Sequence, residues 1–352
     1  MTSKRWLLRL ICALVVTVGA LIWVLRDVEA DQVVSHLAVL PVSTVLTYFV
    51  AQLVVQCLRI LRWAIIVRPL GARSIRSIVA AANVGTAASF FLPLRLGEFA
   101  RPALLARGGV PFASGVASVV VERLTDAIGN LLIFFVLLSS VPASSAIAPH
   151  LRIASAIVLV VFAAAICLLV LAARFRHRLS KMLNEKVRGS SYRSRLIRAA
   201  HPVAERFIDG VATLGNPRRG ALFILLTAAY WTINALAVHR VAEAYHPGLS
   251  VSGALFAVSV TVFLVMLPAG PAFAGTMEAG YRLGLTPFGL TPTAALAVGL
   301  ALHIMQIIVF STWWLVGMGL YTFSKRRGKE RGSREQANPA FHTQPPNFIH
   351  KS

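Results

Sequence analysis

Apolar residues come in long blocks along this chain, and polar residues gather between them. A block near 20 residues is the length a helix needs to cross the hydrocarbon core of a bilayer. The first block follows Lys4, Arg5 and Arg9 and runs to Leu25. It is long for the apolar core of a signal peptide and more blocks follow, so it reads as an uncleaved first span. The other long blocks cover about 39–67, 114–141, 151–173, 221–241 and 293–321. Strict alternation of apolar and polar positions is absent, which points to helices rather than a barrel.

Two further apolar segments are broken. Residues 77–92 are followed by Pro93, Arg95, Gly97, Glu98 and Arg101. Residues 252–290 are interrupted by Leu267-Pro268-Ala269-Gly270-Pro271 and by Gly275-Thr276-Met277-Glu278. Arginine and lysine mark the cytoplasmic ends of spans. Arg59, Arg62, Arg68, Arg73 and Arg76 close the second block; Lys325, Arg326, Arg327, Lys329, Arg331 and Arg334 follow the last. The loop 174–220 holds twelve Lys/Arg against Glu185, Glu205 and Asp209. All three regions are therefore placed inside, with both termini cytoplasmic. By this count the segment 77–107 enters and leaves from the inside, and 252–290 from the outside.

The expected architecture is an all-α integral membrane protein. It has about six spanning helices plus two oppositely oriented re-entrant segments forming an inverted repeat, with a site where the broken segments meet. The alternative treats each broken segment as two crossings and gives eight spanning helices. Residues 1–325 form the polytopic domain, which includes the basic loop 174–220. Residues 326–352 form a basic, disordered cytoplasmic tail.

Composition agrees: 57% of the 352 residues are hydrophobic and 14% charged, where a soluble domain carries about a quarter charged. The formal charge of +22 raises nucleic acid as a partner. Its placement beside apolar spans instead fits the positive-inside pattern and anionic lipid heads, so no nucleic acid is expected. Cys12, Cys57 and Cys167 lie in apolar runs with no metal or disulfide spacing. They read as small buried residues. No metal site and no cofactor are expected. Nucleotide loops, dinucleotide fingerprints and hydrolase elbows are absent from the sequence, so nothing suggests ATP drive.

Three groups carry candidate chemistry. In the first broken segment Pro93 stops a helix, and Arg95 and Arg101 offer forked donors suited to phosphate. Glu98 can pair with Arg101 one turn away. The bland reading is a loop with snorkelling arginines. In the block 114–141, Glu122, Asp126 and Asn130 fall on one helical face, and Arg123 can reach Asp126. A charge at a helix centre costs about 2.5–3.5 kcal/mol on insertion scales. Arg123 can serve only one acid well, so Arg95 or Arg101 should meet Glu122. A structural ion-pair network is the competing reading. The third group runs from Pro268 through Gly270 to Glu278, with an apolar loop and one satisfied acid as its bland reading. Secondary candidates are Arg59, Arg62, Asn83 and His303. Arg59 and Arg62 are expected to snorkel at the inner surface or, beside Trp63, to hold lipid phosphates. Gly280 and Gly284 make a GxxxG spacing that hints at helix packing.

The blocks Leu61-Arg62-Trp63, Leu92-Pro93-Leu94-Arg95-Leu96-Gly97-Glu98 with Arg101, Val121-Glu122-Arg123-Leu124-Thr125-Asp126, and Leu267-Pro268-Ala269-Gly270 with Glu278 resemble the flippase-like transmembrane region of lysylphosphatidylglycerol synthases. That region also stands alone in many bacterial membrane proteins, hopanoid-associated ones among them. The resemblance covers roughly residues 5–325. It implies movement of lipids across the cytoplasmic (inner) membrane of a bacterium, and a separate soluble domain performs aminoacyl transfer in the two-domain synthases. The function expected first is a non-enzymatic translocator, not ATP-driven, for an anionic phospholipid or lipid-linked headgroup. Two others remain open. One is an integral-membrane transferase using Glu98, Glu122 or Glu278 as general base. The other is a non-catalytic partner that recruits an enzyme at the cytoplasmic face.

Overall fold

The computed structural model describes residues 40–72, 74–141, 216–267 and 270–337, with Ile153, Ala156, Val160, Arg206 and Phe207 besides. The first and fourth spans, most of the basic loop, Pro268 and the end of the tail lie outside the described residues. Every regular element among those described is helical.

Four long helices carry the fold among the described residues. They are α1 (Val42–Val67), α4 (Phe112–Leu138), α5 (Pro217–Glu243) and α8 (Pro292–Ala337). By length and hydropathy, α1, α5 and the Pro292–Thr322 part of α8 can cross a membrane. The 27-residue α4 is equally long, but it carries three charged residues, Glu122, Arg123 and Asp126, at mid-helix. The helical backbone of α8 continues through Ala337, into the segment read as the tail.

Each broken segment folds as a helical hairpin. The first is α2 (Ile75–Phe91), a 3-10 turn over Pro93–Phe99, and α3 (Ala100–Ala106). Ser74 caps α2 by accepting from the Ser77 N–H, and Pro93 ends it. The second hairpin is α6 (Val251–Val265), a short turn over Pro271–Phe273, and α7 (Thr276–Leu285). Ser250 caps α6 in the same way.

Close approach within the hairpins depends on glycine. A side chain on Gly280 would lie 2.5 Å from the Thr261 Cα, and one on Gly284 would lie 2.4 Å from the Ala257 Cα. The GxxxG hint is thus realised as the seam between antiparallel α6 and α7. Gly97 brings the first tip equally close, since a Cβ there would fall 1.9 Å from the Ala88 carbonyl carbon.

The element order long helix, hairpin, long helix occurs twice, and the packing follows the repeat. Helix α1 lies on α5, the hairpin arm α2 lies on α8, and α6 lies on α4. Exchanging the two halves maps this set of pairings onto itself. The helices α1 and α5 are antiparallel: Gln52 meets Asn234, Arg59 meets Tyr230, and Arg62 lies over Phe223.

Polarity is arranged inside out. Leu46, Val50 and Leu53 on α1, Ile224 and Leu225 on α5, and Ile308 and Leu315 on α8 are exposed. Glu122, Arg62 and Arg101 are buried. A soluble protein shows the reverse, whereas lipid solvates apolar faces and requires ions to be paired within. Cys57, expected inside, is exposed on this outer face.

Candidate functional site

The tips of the two hairpins touch. Arg95 donates from Nε and Nη2 to the Val265 carbonyl at 3.2 and 3.0 Å. Its guanidinium also lies 5.2 Å from the Phe273 ring centre, and Phe273 meets Phe90 edge to face at 5.8 Å. Arg95, Ala272 and Phe273 have φ of 54°, 55° and 59°, and no other described non-glycine residue has a positive φ. Left-handed backbone at such residues is costly and persists where packing over-determines it. Both tips carry that strain, and they carry it where they meet.

Behind the tips lies a cavity of about 200 Å³, lined among others by Arg59, Arg95, Glu98, Arg101, Arg123 and Asp126. These residues come from α1, the first hairpin and the middle of α4. Tyr230 and Asn234 of α5, Thr261 of α6, Met277 of α7 and Gln306 of α8 also line it.

Two ion pairs, one buried and one part-buried, form its frame. Arg101 donates to Glu122, which is fully buried. It also donates to the Thr86 hydroxyl at 3.0 Å and lies over the Trp63 ring. The Trp63 N–H is held in turn by the Ser118 hydroxyl at 3.0 Å. Arg62 donates to Asp126 and packs over Phe223 and Tyr230. Forked donors and aromatic faces are what a buried guanidinium needs in place of water.

Three more arginines face the cavity with weaker partners. Glu98 is shared by Arg95 at 3.5 Å and Arg123 at 3.7 Å. Arg123 also reaches Glu122 at 3.6 Å and Asp126 at 3.9 Å. Arg59 donates to the Tyr230 hydroxyl at 2.6 Å and has no carboxylate partner among the described residues.

Several expectations change here. Arg101 does meet Glu122, one of the two cations named for that role. Glu98 does not pair with Arg101; its partners are Arg95 and Arg123. Arg101 is taken by Glu122 and Thr86 instead, and the three-residue period of the 3-10 turn over Pro93–Phe99 aligns Glu98 with Arg95. Arg62 does not snorkel, being 1% exposed in its ion pair. Arg59 points into the cavity. Asn130 leaves the Glu122–Asp126 cluster and bonds to the Ser259 carbonyl of α6 at 3.2 Å. Asn83 accepts from Gln56 at 2.7 Å, outside the cavity wall.

Glu278 is buried but stands apart from the arginines. One oxygen accepts from the Gly275 N–H at 2.9 Å, capping α7, and the other meets His303 Nδ1. The His303 ring stands edge-on to Phe90 at 5.9 Å, behind the aromatic wall. Gly270 begins the 3-10 turn at the second tip.

Tyr230, Asn234, Thr86 and Phe273 escaped the sequence reading. Tyr230 and Asn234 sit at i, i+4 in a largely apolar span, and that spacing is a usable signal.

A second, apolar groove of about 660 Å³ runs between α4 and α5, lined by Ile128, Leu132, Phe223, Ile224 and Trp231 among others. Trp231 also lines the arginine cavity, so groove and cavity adjoin.

No curated protein matches the chain. Residues 10–313 match the family described as the lysylphosphatidylglycerol synthase TM region. That span takes in both halves of the repeat and every arginine and carboxylate of the cavity. This multi-pass helical membrane protein belongs to the lysylphosphatidylglycerol synthase TM region family, whose members are associated with lipids.

Proposed function

We propose that the protein is a lipid translocator of the bacterial cytoplasmic membrane, moving an anionic or lipid-linked headgroup from one leaflet to the other without ATP. The observation that carries this reading is a cluster of five arginines and three carboxylates around the middle of α4, of which Arg59, Arg95, Arg101, Arg123, Glu98 and Asp126 line a cavity behind the two hairpin tips. Arg59, Arg95 and Arg123 receive the headgroup. The ion pairs Arg101–Glu122 and Arg62–Asp126 hold the wall in shape. The acyl chains stay in the apolar groove beside Trp231 and in the surrounding lipid.

Helix lengths support re-entrant hairpins over eight crossings. The hairpin arms have 17 and 7 residues in the first and 15 and 10 in the second. At 1.5 Å per residue the longest reaches only about 25 Å, against a core of about 30 Å. Antiparallel α1 and α5 and the exchangeable pairings support an inverted repeat, the arrangement that lets one site open alternately to either side. The basic loop and tail orient both termini to the cytoplasm.

The acids weigh against a transferase. Glu122 is locked to Arg101, Glu278 is held by His303 and Gly275, and Glu98 lies between two arginines. None stands as a free general base.

The test is transport of fluorescent anionic phospholipid in proteoliposomes, with wild type beside Arg95→Ala and Arg123→Ala. Transport by wild type, reduced at least about tenfold in both variants, is the expected result. Folded wild-type protein that moves no lipid class would overturn the reading.

A further inference from the structure

The charge balance of the cavity narrows the ligand. The pairs Arg101–Glu122 and Arg62–Asp126 each close one positive charge with one negative. What remains is Arg59, Arg95 and Arg123 against Glu98 alone. Counting the whole cluster, five arginines against three carboxylates, leaves the same two positive charges. Arginine does not deprotonate to relieve them, and no other described carboxylate lines the cavity. An uncompensated charge at membrane depth is expensive, and a singly charged ligand would still leave one.

We propose, building on the translocator reading, that the cavity selects a headgroup carrying two negative charges on one terminal group: a phosphomonoester or a terminal diphosphate, rather than a phosphodiester. The donors fit that chemistry. A terminal phosphate presents three acceptor oxygens, and three guanidiniums from three elements converge on it. Arg59 comes from α1, Arg95 from the strained hairpin tip, and Arg123 from α4. A phosphodiester offers two free oxygens and one charge, which leaves one guanidinium without an anionic partner. Arg59 is the natural third ligand, because its present partner is a neutral tyrosine hydroxyl. A free phosphate ion shares this chemistry, so the source has to be separated in the test.

The experiment compares phosphatidic acid with phosphatidylglycerol of the same acyl chains. Transport is read with the full chain in phosphatidylcholine vesicles, and binding is read on detergent-purified protein by native mass spectrometry. Phosphatidic acid is expected to bind and move about tenfold better at pH 7.5. The ratio should shrink toward one at pH 5, where a phosphomonoester has lost its second charge, the relevant pKa being about 6. Arg59→Gln should narrow the ratio at pH 7.5. A ratio near one at pH 7.5, or one that ignores pH, overturns the two-charge inference while the translocator reading stands if both lipids move. Tighter, pH-sensitive binding of phosphatidic acid with no transport of either lipid supports the inference and overturns the translocator. Inorganic phosphate that displaces the lipid at matching concentration would assign the site to the soluble ion and overturn the lipid assignment. Failure of millimolar phosphate to displace it supports the lipid.

Discussion

In the first hairpin, the arm after the break carries Arg101 onto Glu122 and Thr86. In the second, the corresponding arm carries Glu278 onto His303 and back to the Gly275 N–H. The halves share an outline and divide the chemistry. The first concentrates ions around a cavity, whereas the second packs through glycines, with Gly280 and Gly284 pressed on Thr261 and Ala257. At the meeting point the second half offers a carbonyl, that of Val265, and an aromatic face, that of Phe273, to an arginine of the first. A repeat fixes where the two tips meet, while side-chain chemistry makes one half ionic and the other glycine-packed.

The largest effect on stability should come from unbalancing the ionic half. Glu122→Ala leaves Arg101 buried without its carboxylate, a loss of about 3–5 kcal/mol. Fluorescence-monitored unfolding in detergent measures it. The pair replacement Arg101→Met with Glu122→Leu should recover most of that loss, because apolar residues of similar volume often substitute for a buried pair. A single variant as stable as wild type would mean the pair is not part of the frame.

Steric insertion is the matching attack on the second half. Gly280→Ala would place a Cβ 2.5 Å from the Thr261 Cα, forcing α6 and α7 apart. About 1–3 kcal/mol is expected, the range for overpacking a filled interface. Unchanged unfolding would show that the seam is looser than its geometry.

The sequence reading reached as far as patterns within one segment extend. Block lengths placed α1, α4, α5 and α8, and the breaks at Pro93 and around Gly275 placed both hairpin turns. Charge counting even demanded a cation for Glu122, and Arg101 supplies it. What failed needed contacts between segments. The Arg62–Asp126 pair joins residues 64 apart in sequence, and no local periodicity encodes it. The assignment of Glu98 to Arg101 failed because Arg101 is taken by Glu122 and Thr86, while Glu98 lies between Arg95 and Arg123. Tyr230 was passed over as an aromatic in an apolar span, although its hydroxyl serves Arg59 and its ring faces both Arg59 and Arg62.

A smaller effect tests Glu278, the one acid of the second hairpin. Glu278→Gln keeps an acceptor for the Gly275 N–H but replaces a carboxylate opposite His303 with a neutral amide. About 1 kcal/mol is expected, the scale of one weakened hydrogen bond. Unfolding curves for Glu278→Gln and Glu278→Ala should rank in that order, with Ala worse because the helix cap is lost as well. Equal curves would remove the capping role.

The smallest effect on stability, paired with a large effect on activity, separates frame from ligand site. Arg59 has a tyrosine hydroxyl for a partner and no carboxylate among the described residues, and it shares its cavity with three other arginines. Replacing it with glutamine removes one hydrogen bond and one member of a like-charged group, two changes of opposite sign. The net change in unfolding should lie within about 1 kcal/mol. Lipid transport should nevertheless fall about tenfold, since a guanidinium meeting a phosphate is a charge-assisted, forked contact that an amide cannot reproduce. A variant that loses stability as heavily as Glu122→Ala would place Arg59 in the frame and erase the division between held and holding charges. Retained stability with lost transport would locate the ligand on the unpaired side of the first half, where the second half's tip closes against it.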